Sequence, residues 1–499
     1  MVKLTRTKVT KKQSTTKPVS KKQSAKTAKV NGVKAAAAKK ELEAKTVVRK
    51  EKPILATKAP SKLRLSAIQR KHKSSPTLLP LPTINQTDCE VFAFGTGDMC
   101  ELGLGPEKAS TVKRPRLSPY LSKEIVDIAV GGQHGLVLDS QGRVWSWGGN
   151  DLGALGRDTS GHEVLKDMDA DESDDEDDPK LNPAESIPAL VDTEQRFVKI
   201  EASDSLSLAL TAEGDVWAWG SFRNSQGTMG FSDKVKIQDR PAKIEELSNV
   251  AAIAAGRDHV LALTQWGTVH TWGDAENFRL GWKSNRSTLS PRELGLKNIV
   301  AVGAGEFHSF AIDTSGRVLA WGLNQFGQCG ILGQSDNAAI DGPTYVDALD
   351  GKKIISVTGG EHHSLALSED GTVYSFGRYD YHQIGFTSKD LPEGTVRDDK
   401  GNPRFLPVPS PLSLGGEDDD EKLPNMRFIA CGAHHSLIID VDGRVWTWGF
   451  SSSFQTGHAE EDDVETPRKI MNTAIKPIDV KMAGGGGQFS VVAGVRKQE

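Results

Sequence analysis

The sequence predicts an all-β fold: a seven-bladed β-propeller of four-stranded antiparallel blades, with one blade closed by strands from the two ends of the domain. Three observations carry this expectation. First, a stretch of about twenty residues ending in Trp-Gly or a close variant recurs, as in Gly131-Gly132-Gln133-His134 through Trp145-Ser146-Trp147-Gly148, with further copies closing at Gly220, Gly273, Gly322, Gly377 and Gly449. A period near fifty residues announces a solenoid or a propeller. Second, in each copy a turn glycine (Gly142, Gly214, Gly267, Gly316, Gly371, Gly443) follows by eight residues a fixed position that holds His134, Leu206, His259, His308, His363 and His435. The short alternating runs on either side of that glycine read as a tight hairpin. Third, the seventh copy is split: Ala483 to Ala493 supplies its first half, and Val91-Phe92-Ala93-Phe94-Gly95 supplies its Trp-Gly half. A solenoid would end in capping repeats, whereas half-units that complete each other require a closed ring.

Taken in order along the 499 residues, the chain begins with a basic tail, residues 1–87. Residues 1–75 hold 23 Lys and Arg against 3 Asp and Glu, and the remaining 424 hold 39 against 63. The tail is rich in Lys, Ser, Thr and Ala, has no aromatic residue, cannot bury enough apolar surface to fold alone and is expected to be disordered. Its lysine pairs Lys11-Lys12 and Lys21-Lys22 suit contact with a phosphate backbone or a nuclear import receptor. It is not a signal peptide, since no apolar core follows the charges, and no run in the chain reaches membrane-spanning length.

The propeller is expected over residues 88–496. Eight of its tryptophans, Trp145, Trp147, Trp217, Trp219, Trp272, Trp321, Trp446 and Trp448, fall in the closing strand, where flat side chains fill the space between sheets. The fixed His is read as structural, its ring N–H satisfying a backbone carbonyl. An acidic insertion at about 160–186 is too charged to pack, and a second insertion at about 387–422 is rich in Pro, Gly and Asp. Cys89, Cys100, Cys329 and Cys431 show no paired spacing, so neither a disulfide framework nor a zinc site is indicated. His362-His363 and His434-His435 are adjacent on strands and point to opposite faces, which argues against a shared metal. No cofactor and no nucleophile-base pair are indicated.

What the copies share is packing, so function is expected where one copy differs. The residues just before the fixed position ring one mouth of the central channel, and among them Asp204, Asp258 and His362 are single-copy polar groups. After Trp-Gly, several blades run into Asn-x-x-Gly-x-x-Gly, as at Asn150 to Gly156 and Asn324 to Gly330. The blade closing at Gly220 instead continues Ser221-Phe222-Arg223-Asn224-Ser225-Gln226-Gly227-Thr228-Met229-Gly230, a polar hairpin-forming stretch that would project as a wedge.

These residues, together with Gly95-Thr96-Gly97-Asp98-Met99-Cys100-Glu101-Leu102-Gly103-Leu104-Gly105 and Gly153-Ala154-Leu155-Gly156-Arg157-Asp158-Thr159, closely resemble the regulator of chromosome condensation family. Within it, the resemblance is to the fungal type of nuclear guanine-nucleotide exchange factor for the small GTPase Ran. It covers essentially all of residues 88–496. The resemblance implies a chromatin-associated nuclear monomer that promotes GDP release and GTP loading without covalent chemistry, in support of nucleocytoplasmic transport and mitosis. It also implies that Asp98, Asp204, Asp258 and His362 contact Ran from the mouth while the wedge, Ser221 to Gly230, presses near the phosphate-binding loop. By the same likeness a loop at Lys283 to Arg292, with Arg286 foremost, docks on nucleosomal histones, alongside DNA contact by the tail. Two positions depart from the recurring His, Leu206 and Phe489. The alternative is a propeller adaptor for chromatin or a ubiquitin ligase, without exchange activity.

Overall fold

A computed structural model describes residues 78–107, 110–121, 124–160, 181–332, 338–413 and 423–498. Lys11, Lys12, Lys21 and Lys22, residues 161–180 of the acidic insertion and residues 414–422 of the second insertion lie outside them.

Seven antiparallel sheets form the propeller. The innermost strands are Ile125–Val130 in blade 1, Lys199–Ala202 in blade 2, Val250–Ala255 in blade 3, Ile299–Ala304 in blade 4, Ile354–Gly359 in blade 5, Met426–Cys431 in blade 6 and Ile478–Gly485 in blade 7. Each pairs with a second strand that opens at or beside the fixed position, then with the Trp-Gly strand, then with an outer strand. Blade 7 takes its third and fourth strands, Glu90–Thr96 and Thr111–Leu117, from the other end of the domain. The splice is in register over six pairs from Glu90↔Gly494 to Gly95↔Phe489, and Arg496 Nη2 lies 2.8 Å from Glu90 Oε2.

Two details differ from the expected pattern. Blade 5 has a fifth strand, Val396–Arg397, drawn from the second insertion and paired to Pro403–Pro411. Residues 78–87, grouped with the basic tail, pack on the propeller: Leu79 N donates to Gln265 O at 2.8 Å, Thr83 and Asn85 line the channel, and Ile84 packs against the cluster around Phe197 and Trp219. Burial of apolar Leu79 and Ile84 accounts for the docking of this short segment.

The apolar material lies between blades. Trp147, Trp219, Trp272, Trp321 and Trp448 are at most 2% exposed, whereas Trp145, Trp217 and Trp446, two residues earlier, are only half-buried. The fixed histidines also bind between blades, but their partner is a serine hydroxyl of the next blade and not the backbone carbonyl expected. Nε2 lies 2.8 Å from Ser207 Oγ for His134, 2.7 Å from Ser309 for His259, 2.7 Å from Ser364 for His308, 2.9 Å from Ser436 for His363 and 2.8 Å from Ser490 for His435. Each serine in turn donates to a carbonyl in the loop after the preceding blade's Trp-Gly, as Ser207 does to Ala154 O at 2.7 Å. Trp219 Nε1 donates to that same Ala154 oxygen at 2.8 Å. The serine has one proton and gives it to the carbonyl, so Nε2–H must donate to the serine oxygen. Burial keeps the imidazoles neutral, lowering His134 to about 4 and His308 and His435 to about 3.

This relay explains the two departures. Leu206 faces Val260 where His would face Ser, because blade 2 has replaced the loop that supplies the carbonyl. Leu206, Val260, Trp272 and Phe222 form a closed apolar contact there instead. Likewise Phe489 precedes blade 1, which has Gly135 at the serine position; a Cβ on Gly135 would lie 2.3 Å from the Trp147 ring.

Candidate functional site: the channel mouth and its wedge

The turns between first and second strands meet at one end of the channel, where backbone bonds run from blade to blade. Asp204 N donates to Arg257 O (3.0 Å), Arg257 N to Glu306 O (3.2 Å), Glu306 N to Gly360 O (3.0 Å), Glu361 N to Ala433 O (3.0 Å) and Ala433 N to Gly486 O (3.2 Å). So close an approach needs glycine: a Cβ on Gly256 would sit 2.4 Å from Gly305 O. The mouth opens into a cavity of about 570 Å³ lined by Asp98, Asp204, Arg257, Glu306, Glu361 and His434 among others. Its charge is predominantly acidic, which suits a basic protein surface.

Burial divides the predicted residues into two sets. Asp204, Arg257, Glu306 and Glu361 stand two residues before the fixed position and line the mouth. Asp258 and His362 stand one residue before it and are buried under the rim. Asp258 is 5% exposed, and its Oδ1 accepts the backbone N–H of Arg223 at 2.8 Å. Burial pushes this carboxyl up to about 6. His362 is packed between Phe307 and Phe326, at ring-centroid distances of 6.0 and 5.0 Å, with Gln325 Nε2 3.2 Å from its Nε2. Asp98 is exposed at the rim and Asp204 half-buried. Arg257, Glu306, Glu361 and His434 also line the mouth and were not singled out from sequence, although counting two residues back from each fixed position would have found the first three.

The stretch after Gly220 is a separate two-stranded hairpin, Phe222–Asn224 paired with Gly227–Gly230. Ser221 and Phe222 are buried at its root, and Ser221 Oγ donates to Lys236 O at 2.8 Å. Ser225, Gln226 and Gly227 are exposed at its tip, where Gly227 takes a φ of 113° that favours glycine. Two carboxylates brace it from blade 3: Asp258 at Arg223, and Glu276 at the Ser225 hydroxyl. The segment from Lys283 to Arg292 joins the third and fourth strands of blade 3. Arg286 is exposed on it, Arg292 lies 4.5 Å from the Trp282 ring centroid, and Leu289 packs against the cluster at the wedge root. Among the described residues no group of three His, Cys, Asp or Glu side chains is arranged to hold a metal ion.

Comparison with known proteins agrees with this architecture. The RCC1-like domain matches residues 90–492. Guanine nucleotide exchange factor SRM1 of Saccharomyces cerevisiae is 43% identical over 429 residues, which cover 82% of this chain and 87% of that protein. The crystal structure of Prp20p from Saccharomyces cerevisiae, presented with its binding properties to Gsp1p and histones, superimposes with a TM-score of 0.77 at 38% identity, covering 85% of this chain and 97% of that one. A structure of yeast RCC1 (Prp20) bound to Kap60 gives the same score and identity over 88% and 97% of the two chains. A closed seven-bladed ring with a match this extensive has one family reading: the chain belongs to the RCC1-like domain family.

Proposed function

We propose that this protein is a guanine-nucleotide exchange factor for the small GTPase Ran, acting in the nucleus at chromatin. The observation that carries the reading is the wedge. One blade alone gives up the loop that locks it to its neighbour and presents a braced hairpin beside an acidic mouth. The relatives named above, an exchange factor and a protein characterised with Gsp1p and histones, support the same reading.

The mechanism is linkage. A partner that binds nucleotide-free GTPase more tightly than the loaded form weakens nucleotide binding by the same factor, whichever nucleotide is present. The rigid wedge would occupy space at the nucleotide's phosphates, with Arg223, Asn224, Ser225, Gln226 and Gly227 as its contact surface. Asp98 and Asp204 would engage basic groups of the GTPase from the mouth, while His362 and Asp258 act from beneath the rim. No bond of the nucleotide is made or broken, and direction comes from the nucleotide supply. Chromatin attachment is assigned to Lys11, Lys12, Lys21, Lys22 and Arg286, and the tail to an import receptor. The reading is tested by nucleotide release from Ran loaded with fluorescent GDP. Catalytic amounts of the protein should accelerate release at least about tenfold, a barrier change of ~1.4 kcal/mol. Release at the spontaneous rate would leave the adaptor reading.

A further inference from the structure

We propose that Arg257 is a positioning residue for the exchange site, a single guanidinium that gathers the carboxylates of three consecutive blades and holds them in place for the partner. The proposal rests on the exchange reading above. Arg257 Nη1 lies 3.4 Å from Glu306 Oε2, and its Nε lies 3.9 Å from Asp204 Oδ2 and 4.0 Å from Asp258 Oδ2. Its backbone joins the same blades, accepting from Asp204 N and donating to Glu306 O. Main chain and side chain of one residue thus tie blades 2, 3 and 4 together at the mouth. No other residue before a fixed position in this ring is a lysine or arginine.

The side chain is 44% exposed, and the carboxylates around it between 7 and 21%. So exposed a guanidinium adds little to stability. Its effect on the acids is larger, because carboxylates held close together in a partly dry mouth must shed charge by taking up protons unless a cation stands among them. The groups facing Arg257 are Asp204 from blade 2, Asp258 from its own blade, Glu306 from blade 4 and Glu361 from blade 5. Arg279 is a second cation near Asp258 but is already paired to Asp274 at 3.0 Å, and His362 and His434 stand beside Glu361. Arg257 is therefore the cation left to serve Asp204 and Glu306. Burial drives Glu306 upward, and Arg257 is the first influence pulling it back.

Burial holds Glu306 at about 8 even beside Arg257, and removing the guanidinium raises it further, so the deficit is present below about pH 8 and closes only as pH rises past that value. The test compares wild type, Arg257→Gln and Arg257→Lys in steady-state release of fluorescent GDP from Ran between about pH 6 and about pH 9.5, a range that spans the Glu306 value of about 8. The ratio of variant to wild type is read at each pH, which cancels titration of Ran itself. For Arg257→Gln, KM should rise about tenfold at low pH, one pH unit of altered titration, with kcat retained and the ratio returning toward one only above about pH 9. Arg257→Lys should restore most of the loss. A ratio that does not change with pH, or a KM that stays level or falls, overturns the proposal. A wild type with no release activity overturns the exchange reading, and this inference with it.

Discussion

At the scale of single residues, Asp258 separates two roles that proximity to the mouth runs together. Its carboxylate is turned under the rim and holds the wedge through the Arg223 amide, so its effect on exchange is expected to pass through the hairpin. Asp258→Asn keeps an acceptor oxygen, while Asp258→Ala does not. A charged group's hydrogen bond contributes about 1.5–3 kcal/mol, so Asp258→Ala should slow GDP release from Ran roughly tenfold or more, with Asp258→Asn within about threefold of wild type. Equal losses in both variants would show that the charge itself is used. The sequence pointed to this neighbourhood but not to the division within it. Asp204, Asp258 and His362 read alike as polar groups before a strand, yet only the first lines the mouth, while the other two are buried beneath it. Burial, which makes Asp258 an anchor, depends on the neighbouring wedge and is not visible in local spacing.

Among elements, the loop after Trp-Gly decides how neighbouring blades are joined. Where it offers a carbonyl, a His, a Ser and often a Trp converge on it; where blade 2 replaces it with the wedge, Leu206 and Val260 take their places. Polar and apolar joints should therefore be exchangeable only as pairs. In His134→Leu or Ser207→Val alone, one buried polar group loses its partner at a cost of about 1–3 kcal/mol. In the double variant Ala154 O still receives the Trp219 indole, so the loss should be smaller than the sum of the two singles by more than about 1 kcal/mol. Urea unfolding of the four proteins measures this, and strictly additive losses would contradict it. The serine partner could have been suspected from His308-Ser309, His363-Ser364 and His435-Ser436. What the sequence does not show is that each His reaches the serine of the following blade, because that contact exists only once the ring has closed.

For the whole molecule, closure was legible from the split seventh copy, and the paired strands Glu90–Thr96 and Phe489–Arg496 follow that reading. Ending the chain at Gln488 would remove Phe489, Val491, Val492 and Ala493, all fully buried, and leave two strands without their common neighbour. Each large apolar side chain is worth about 1.5–3 kcal/mol, so the loss is comparable with the few kcal/mol that hold a folded domain together. The truncated protein should show no cooperative thermal transition by circular dichroism; a transition at the wild-type midpoint would contradict the clasp. Arg496→Ala, which takes one partner from a Glu90 side chain only 4% exposed, should lower the midpoint without abolishing the transition.

Ring, mouth and wedge together amount to one claim, that the fold is a rigid mount for a hairpin that expels nucleotide. The most direct test compares the full chain with one in which Asn224–Gly227 is replaced by two glycines, using release of fluorescent GDP from Ran. The full chain should accelerate release, and the shortened hairpin should lose at least about tenfold of that acceleration, ~1.4 kcal/mol, at an unchanged thermal midpoint. Equal acceleration by the two proteins, or none by either, would contradict the account.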